Sequence, residues 1–598
     1  MRSTASLFNK TLFKNDFKRL WPLWVVFSII SALIGISFIY GLRNTYQPEK
    51  LTFLDTRSYY FEAASGMGPI AAMALSCIVT AAIWGFLCTG KSTVFFHSVP
   101  VTRTTMFFTN LVTSFVIVII PLLTGWFVFT VGSASMGLFD AHGMLITLWA
   151  LIAETVAMLG VAILCAQLTG RLAAMVLLDL TANVFFAVAE AVITAFAVNF
   201  YYGVTSLDDI GLYMLSPVVA LVSKLTPRDA ELYGAGYLAV YCIVGLVLTV
   251  MAYFLYKIRK SESATEVIAF KPLKPILLYS YATVGTIFMT WLLYDLFNIS
   301  GSRTYDIRKL IVLLIISGTL MYFVGRMIID RTVKVLTLKY FFGCFAMLSW
   351  LIIGTVVIAL DPFRVEWWVP EKENVTAVKI NSNMGEMFLG ENDDGLIGDL
   401  LEVHKVLAGE GERHAANDEV TEFYLDLTYY MTDGRLKVRE YRVPIYEENL
   451  DNTDSVESKL DNFFNLEPVM EKNFHIGKEF VFESAWIYVS HDLDSVGDET
   501  DLTASEGIRL KDAILEDLRA GNIPPTDIFD NAISVDGDEF ITIDLCDMLN
   551  HGQRYIRDSY NGHIYEVDDS RYGVYHSFTV TDSMTATRAY LKEIGVIE

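Results

Sequence analysis

The chain has 598 residues, is 53% hydrophobic with a mean hydropathy of +0.42, and carries a net charge of −23. Those averages hide two halves: up to Leu360, Lys and Arg outnumber Asp and Glu 25 to 17, whereas from Asp361 onward the acids lead 51 to 20. This asymmetry excludes a uniformly soluble protein and reads as an α-helical polytopic membrane domain followed by a strongly acidic, soluble α+β domain.

The N-terminal segment, 1–20, places Phe8, Phe13, Phe17 and Leu20 among Lys10, Lys14 and Lys18. Lysines every four residues share one helix face. An amphipathic interfacial helix is expected, with Phe13 and Phe17 in the lipid boundary and Lys14 and Lys18 toward head groups. An ordinary helical cap is the bland alternative, since amphipathicity does not require lipid. No small-residue cleavage site precedes Trp21, so no cleavable signal peptide is expected.

Apolar runs follow at 21–42, 67–89, 107–132, 144–169, 172–198, 232–256, 276–296, 308–328 and 340–360. Each approaches or exceeds the roughly 20 residues needed to cross a hydrocarbon core. About nine spans put the two termini on opposite sides. With the N-terminus inside, cytosolic segments hold seventeen Lys and Arg against eight outside, which favours a cytosolic N-terminus and an extracytoplasmic C-terminal domain. Residues 210–225, with a central Pro217, are short for a span and read as a re-entrant or interfacial helix. If they did span, the C-terminal domain would change sides.

Between the second and third runs, Gly85 to Ser92 reads G-x-x-x-x-G-K-S, the letters of a phosphate-binding loop. That loop needs a buried strand before the glycines, and the preceding residues form an apolar run of spanning length. A cytosolic turn between two membrane helices is the better reading. Its basic and aromatic tip holds Phe95, Phe96, His97, Pro100 and Arg103. A second cytosolic loop, 257–274, is basic at both ends and suits head-group contact or the docking of a partner.

Three acids fall inside the apolar runs: Glu154, Asp179 and Glu190. Asp179 and Glu190 lie close to three turns apart, on one stripe of a helix. Such residues either line a polar path for substrate or hydrogen-bond across helices to fix the bundle.

The domain at 361–598 shows a hairpin signal at 419–446, further strands at 479–490, 533–545 and 574–580, and helices at 505–522 and 585–595. Its length suffices for one core or two small ones. Seven of nine histidines are here, yet none forms HExxH and no serine sits in G-x-S-x-G. The stretch 492–501 lacks the ligands that close an EF-hand and reads as a solvated acidic loop. Cys546 is the only cysteine of this domain, so no internal disulfide forms there; the other five lie in apolar runs. No catalytic, cofactor or metal site is expected.

Two segments carry a family resemblance: FFHSVPVTRTTMFF (95–108) and LYKIRKSESATEVIAF (255–270). They resemble the turns after the second and sixth helices of a type-2 ATP-binding-cassette (ABC) permease, of the bacterial kind encoded apart from its ATPase. DPFRVEWWVPEKENVTAVKI (361–380) and the closing SFTVTDSMTATRAYLKEIGV resemble the two ends of the extracytoplasmic domain in a branch of that family. Thr102 stands where serine is common, and Arg364 replaces a usual glycine. The resemblance implies a permease subunit of the bacterial cytoplasmic membrane without catalytic activity of its own. It implies a separate ATPase holding ATP-Mg, a second copy or homologue of the chain, the lipid bilayer as surroundings, and no nucleic acid. It assigns Phe95, Phe96, His97, Pro100 and Arg103 to the ATPase groove, beside the N-terminal interfacial helix. Export or extraction of a peptide-like or amphiphilic substrate is the implied activity. Other readings are a sensor that moves its outer domain without transport, and a membrane-tethered surface enzyme.

Overall fold

The computed structural model describes residues 7–45, 53–207, 210–228, 230–297, 304–390, 392–413, 421–478, 480–490, 498–525, 528–529, 540–549, 555–557, 564–566 and 573–597. Among them, nine helical segments are long and apolar enough to cross a membrane. The chain divides into two compact units, one of residues 1–193, 208–295 and 312–351, the other of 194–207, 296–311 and 352–598.

The first unit begins with α1 (Lys10–Arg19) and α2 (Trp21–Thr45). The second apolar segment is longer than the run in the sequence: α3 (Phe53–Glu62) passes through one π-helical turn, Ala63–Met67, into α4 (Gly68–Trp84). Residues 53–62 look polar in sequence, but their polar groups find partners inside the bundle. Arg57 pairs with Asp140 at 3.0 Å, and the buried Tyr60 donates to Thr130 Oγ1 at 2.7 Å. After α5 (Gly90–Ser98) come α6 (Arg103–Ser135), α7 (Ala141–Leu168), α8 (Leu172–Val198), α9 (Pro217–Lys224) and α10 (Ala235–Ile258). Then follow α11 (Leu273–Phe297), α12 (Ile307–Asp330) and α13 (Leu338–Ala359). Side-chain caps set two of the starts. Thr102 Oγ1 accepts from Thr105 N at 3.1 Å before α6, and Asp140 Oδ2 from Gly143 N at 2.7 Å before α7.

Glycine lets two helix pairs touch through their backbones, the packing that substitutes for a hydrophobic drive inside lipid. A Cβ on Gly245 of α10 would lie 2.5 Å from Val156 O of α7, and one on Gly125 of α6 would lie 2.7 Å from Ser31 O of α2.

The segment 210–225 is a 3₁₀ turn, Leu212–Leu215, followed by the eight-residue α9. Eight residues rise only about 12 Å, well short of a crossing. Val218, Ala220 and Leu221 are buried in the main apolar core of this unit. A short hairpin, β1 (Thr226–Arg228) with β2 (Glu231–Tyr233), leads on toward α10.

Among the described residues, the second unit contains two four-stranded sheets. The first joins β3 (Val375–Ser382), β4 (Gly385–Leu389), β5 (Glu422–Met431) and β6 (Leu436–Pro444) in the order β4-β3-β5-β6. The second joins β7 (Phe480–Ser490), β8 (Asp498–Asp501), β9 (Phe540–Leu549) and β12 (Gly573–Thr579) in the order β8-β7-β9-β12. Every pairing in both is antiparallel. A helix separates the second and third strands of each sheet, α14 (Asp394–Glu410) and α17 (Ala504–Ala520). Another follows each fourth strand, α15 (Val456–Phe464) and α18 (Thr585–Glu593). Both halves therefore repeat one plan, hairpin, helix, two strands, helix. The second adds the hairpin β10 (Tyr555–Arg557) and β11 (Ile564–Glu566) before its last strand, and the first adds α16 (Glu467–Asn473) after α15. Each half has its own apolar core.

Most strands and helices expected from sequence are present: the hairpin is β5–β6, and Gly521 closes α17 with φ +71°. The acidic loop 492–501 falls largely outside the described residues, and 533–539 lies wholly outside them. The loop after α8 belongs to this unit and joins its first sheet. Glu440 N donates to Gly203 O at 3.1 Å, Tyr202 OH to Arg442 O at 2.6 Å, and Val204 bridges Arg439. Tyr201 OH also reaches Ile358 O at 3.0 Å, in the last turn of α13, which belongs to this same unit. Arg364 adopts φ +53°. The turn keeps its left-handed shape because Asp361 accepts from Val365 N at 2.8 Å and Glu366 N at 3.0 Å.

Candidate functional site

The turn at 85–108 does not form a phosphate-binding loop. The helix α4 precedes Gly85, Gly85–Cys88 is a 3₁₀ turn, and α5 starts at Gly90. Thr93 Oγ1 closes the turn by donating to Phe86 O and Thr89 O, both at 2.9 Å.

The five residues assigned to this turn have different situations. Phe95 is 66% exposed, beside the equally bare Val94 at 65%. Phe96 is half-buried against Phe86, with ring centroids 4.7 Å apart. Pro100 is exposed in the link to α6, and the side chain of His97 lies outside the described residues. Arg103 is engaged internally: its guanidinium donates to Lys257 O and Arg259 O, both at 3.2 Å. It therefore caps the carbonyl end of α10.

That cap brings the two segments 95–108 and 255–270 together. Thr104 and Tyr253 share a hydrogen bond of 3.3 Å, the rings of Phe108 and Tyr253 lie 5.4 Å apart, and Tyr256 OH meets Met106 Sδ at 3.2 Å. Arg259 goes deeper, at 6% exposure. It donates to Ala166 O at 2.7 Å, Gln167 O at 2.8 Å and Leu87 O at 3.1 Å. A single guanidinium thus ties the ends of α7 and α10 to the turn after α4. Backbone bonds complete the lacing, from Gly170 N to Glu266 O at 3.0 Å and from Ala269 N to Leu168 O at 2.8 Å.

Helix α1 packs on α6. Asn9 caps it by accepting from Thr11 N and Leu12 N, and Asn9 N donates to Thr109 Oγ1 at 3.0 Å. Lys14 and Lys18 are exposed, as the four-residue spacing requires. Phe13 and Phe17 are half-buried and stack in series, Phe17 continuing onto Trp24 with centroids 5.1 Å apart. Asp16, buried on this helix, is pushed above the usual carboxylate range by burial, which Arg19 at 3.1 Å opposes.

The three intramembrane acids separate. Glu190 accepts from Gly211 N at 2.7 Å and Tyr213 N at 2.6 Å, holding the segment before α9 in place. Asp179 pairs with Asn183 one turn on, at 3.4 Å. Glu154 is fully buried, and neither carboxylate oxygen has a hydrogen-bond partner among the described residues.

Two polar clusters in the C-terminal region had no motif to announce them. His404 sits between Tyr429 OH and Tyr441 OH, each at 2.9 Å, and burial pushes it down to about 3. His475 meets Asp547 at 2.8 Å, and Lys511 meets the other Asp547 oxygen at 2.7 Å. Among the described residues no group of His, Cys, Asp and Glu is arranged for a metal.

Comparison with protein-family models, curated proteins and solved structures gives no match for this chain.

Proposed function

We propose that the chain is the permease subunit of an ABC transporter in a bacterial cytoplasmic membrane, driven by ATP-Mg hydrolysis on a separate ATPase. A second copy or a homologue would complete the membrane part, and a peptide-like or amphiphilic molecule would be exported or extracted. The supporting observation is the joining of 95–108 to 255–270 through Arg103, which leaves Val94 and Phe95 projecting from a braced turn. A bare aromatic on a rigid base is how a docking hot spot is built. The lysine face of α1 adds charge on a helix packed on the same α6.

Purification of the tagged chain from native membranes in mild detergent, followed by mass spectrometry, tests this reading. A stoichiometric ATPase supports it. A chain that emerges alone, without ATP hydrolysis, refutes it.

A second reading has its own support. The loop after α8 is hydrogen-bonded into the first sheet of the C-terminal domain at Gly203 and Tyr202. Chain continuity from α8 into that sheet suits an ATPase-coupled sensor that transports nothing. Flux measured in reconstituted vesicles separates the two: hydrolysis without flux favours the sensor.

A further inference from the structure

We infer that the link after α13 anchors the C-terminal domain on the surface of the bilayer, with Phe363 and Trp367 seated at the lipid head-group boundary. Phe363 is 87% exposed and Trp367 60%. Both follow directly on α13, a helix long and apolar enough to cross a membrane. Across the end of that helix Ile353, Val357 and Leu360 are exposed, spaced four and three residues apart, so they form one bare stripe. On a spanning helix lipid covers such a stripe, and the two aromatics continue it past the helix end. The end of α11, in the same compact unit, is equally bare at Leu296 and Phe297.

The turn that carries the two rings is braced at both ends. Leu360 N donates to Val356 O and Asp361 N to Ile358 O, and Arg364 N closes the turn on Asp361 O, each at 3.0 Å. Arg439 of β6 holds the far end, donating to Val365 O at 2.7 Å and Trp368 O at 3.3 Å. Trp368 turns inward: its ring centroid lies 5.4 Å from the Arg439 guanidinium, and it packs against the core of the first half. Its neighbour Trp367 is left outside. One link therefore joins a spanning helix to β6 and presents two bare rings.

Depth sets the occupant. The head-group layer is about 6 Å thick on each side of the hydrocarbon. Phe363 stands four residues beyond the end of α13, and the turn at Asp361 folds the chain instead of extending it. Aromatic rings are favoured at that depth, and such anchors set the tilt of spanning helices. Because the link is tied to β6, they also hold the first sheet against the bilayer. The inference rests on α13 crossing the membrane and is independent of the ATPase.

The test places the full chain in phosphatidylcholine–phosphatidylglycerol liposomes, with a nitroxide on Phe363→Cys and, as the aqueous control, on Asp433→Cys in the exposed β5–β6 turn. The unsubstituted chain, whose cysteines are buried or half-buried, supplies the background. Relaxation of the label by oxygen, which concentrates in lipid, is compared with relaxation by a water-soluble nickel chelate. Oxygen is expected to dominate at 363 and the chelate at 433. In parallel, phospholipid brominated near the head group should quench the emission that Trp367→Phe removes from wild type. Chelate access at 363 equal to that at 433 overturns the inference. Shielding of 363 from both reagents also overturns it, since a protein such as a second copy would then cover the ring. If Phe363→Cys is not recovered in liposomes, the Trp367 emission decides, and failure of brominated lipid to quench it overturns the inference.

Discussion

Replacement of Phe95 by alanine separates docking from folding. Phe95 is 66% exposed, so the ring contributes little to the fold of its own chain. A phenylalanine offers about 200 Å² of side-chain surface, of which about two-thirds, or 130 Å², remains to be buried by a partner. At about 25 cal/mol per Å² this amounts to about 3 kcal/mol, a loss of roughly 150-fold in affinity. Arg103→Ala should behave in the opposite way. It removes the cap on Lys257 O and Arg259 O and should lower thermal stability, by about 1–3 kcal/mol for a charged donor. The assay pairs two measurements on the full chain in detergent: the thermal midpoint, and the affinity for the co-purifying ATPase by titration. Phe95→Ala is expected to leave the midpoint unchanged and weaken the ATPase complex. Unchanged ATPase affinity in a folded Phe95→Ala chain would refute the docking role of this turn.

Other outcomes follow from single contacts. Gly245→Ala should destabilise the full chain by about 1–3 kcal/mol, because its Cβ would lie 2.5 Å from Val156 O; Gly236→Ala on the same helix, with open space around it, should not. Thermal midpoints in detergent decide this. Asp517→Asn should loosen α18 by about 2–3 kcal/mol, since the carboxylate accepts from Ala586 N, Thr587 N and Thr587 Oγ1. Hydrogen exchange across 585–593 reports it. Burial raises the Asp517 carboxyl, but these bonds and that from Asn522 outweigh it and hold it below the usual range. The stabilisation is therefore present above the unfolded value of about 3.9 and is lost as pH falls through the lower folded value. His404 works at milder acidity. Its folded value of about 3 lies below the ordinary 6.5, so the neutral ring stabilises the domain above 6.5 and that contribution is lost progressively as pH falls toward 3. At pH 5 the loss is about 2 kcal/mol. His404→Phe should flatten the fall of the thermal midpoint between pH 7 and pH 5; an unchanged slope would contradict the assignment.

What was legible in the sequence was what depends on composition and local spacing. Membrane-length helices follow from apolar length alone, because no water is present to satisfy the backbone, and the runs at 21–42 through 340–360 became helices. The break at 210–225 was visible in its length and in Pro217. The four-residue spacing of the lysines placed Lys14 and Lys18 on an exposed face. The hairpin at β5–β6 was announced by Asp433-Gly434. Local signals also excluded the phosphate loop, since an apolar helix precedes Gly85.

The remainder depended on partners distant in sequence. Helix α3 was hidden because Arg57 and Tyr60 look polar until Asp140 and Thr130 meet them. The twofold plan of the C-terminal region exists in strand order, β4-β3-β5-β6 and β8-β7-β9-β12, and strand order leaves no periodic trace along the chain. The chain showed Glu154, Asp179 and Glu190 as three acids inside apolar runs, with Asp179 and Glu190 on one helix stripe. Folding made them unlike, because Gly211 and Tyr213 come to Glu190 and Asn183 to Asp179, while no partner comes to Glu154 among the described residues. The sequence by itself determined which segments leave water, because that free energy is summed residue by residue along the chain. Tertiary structure alone decided which polar group meets which, because a hydrogen bond requires two groups within about 3 Å, wherever they stand in the sequence.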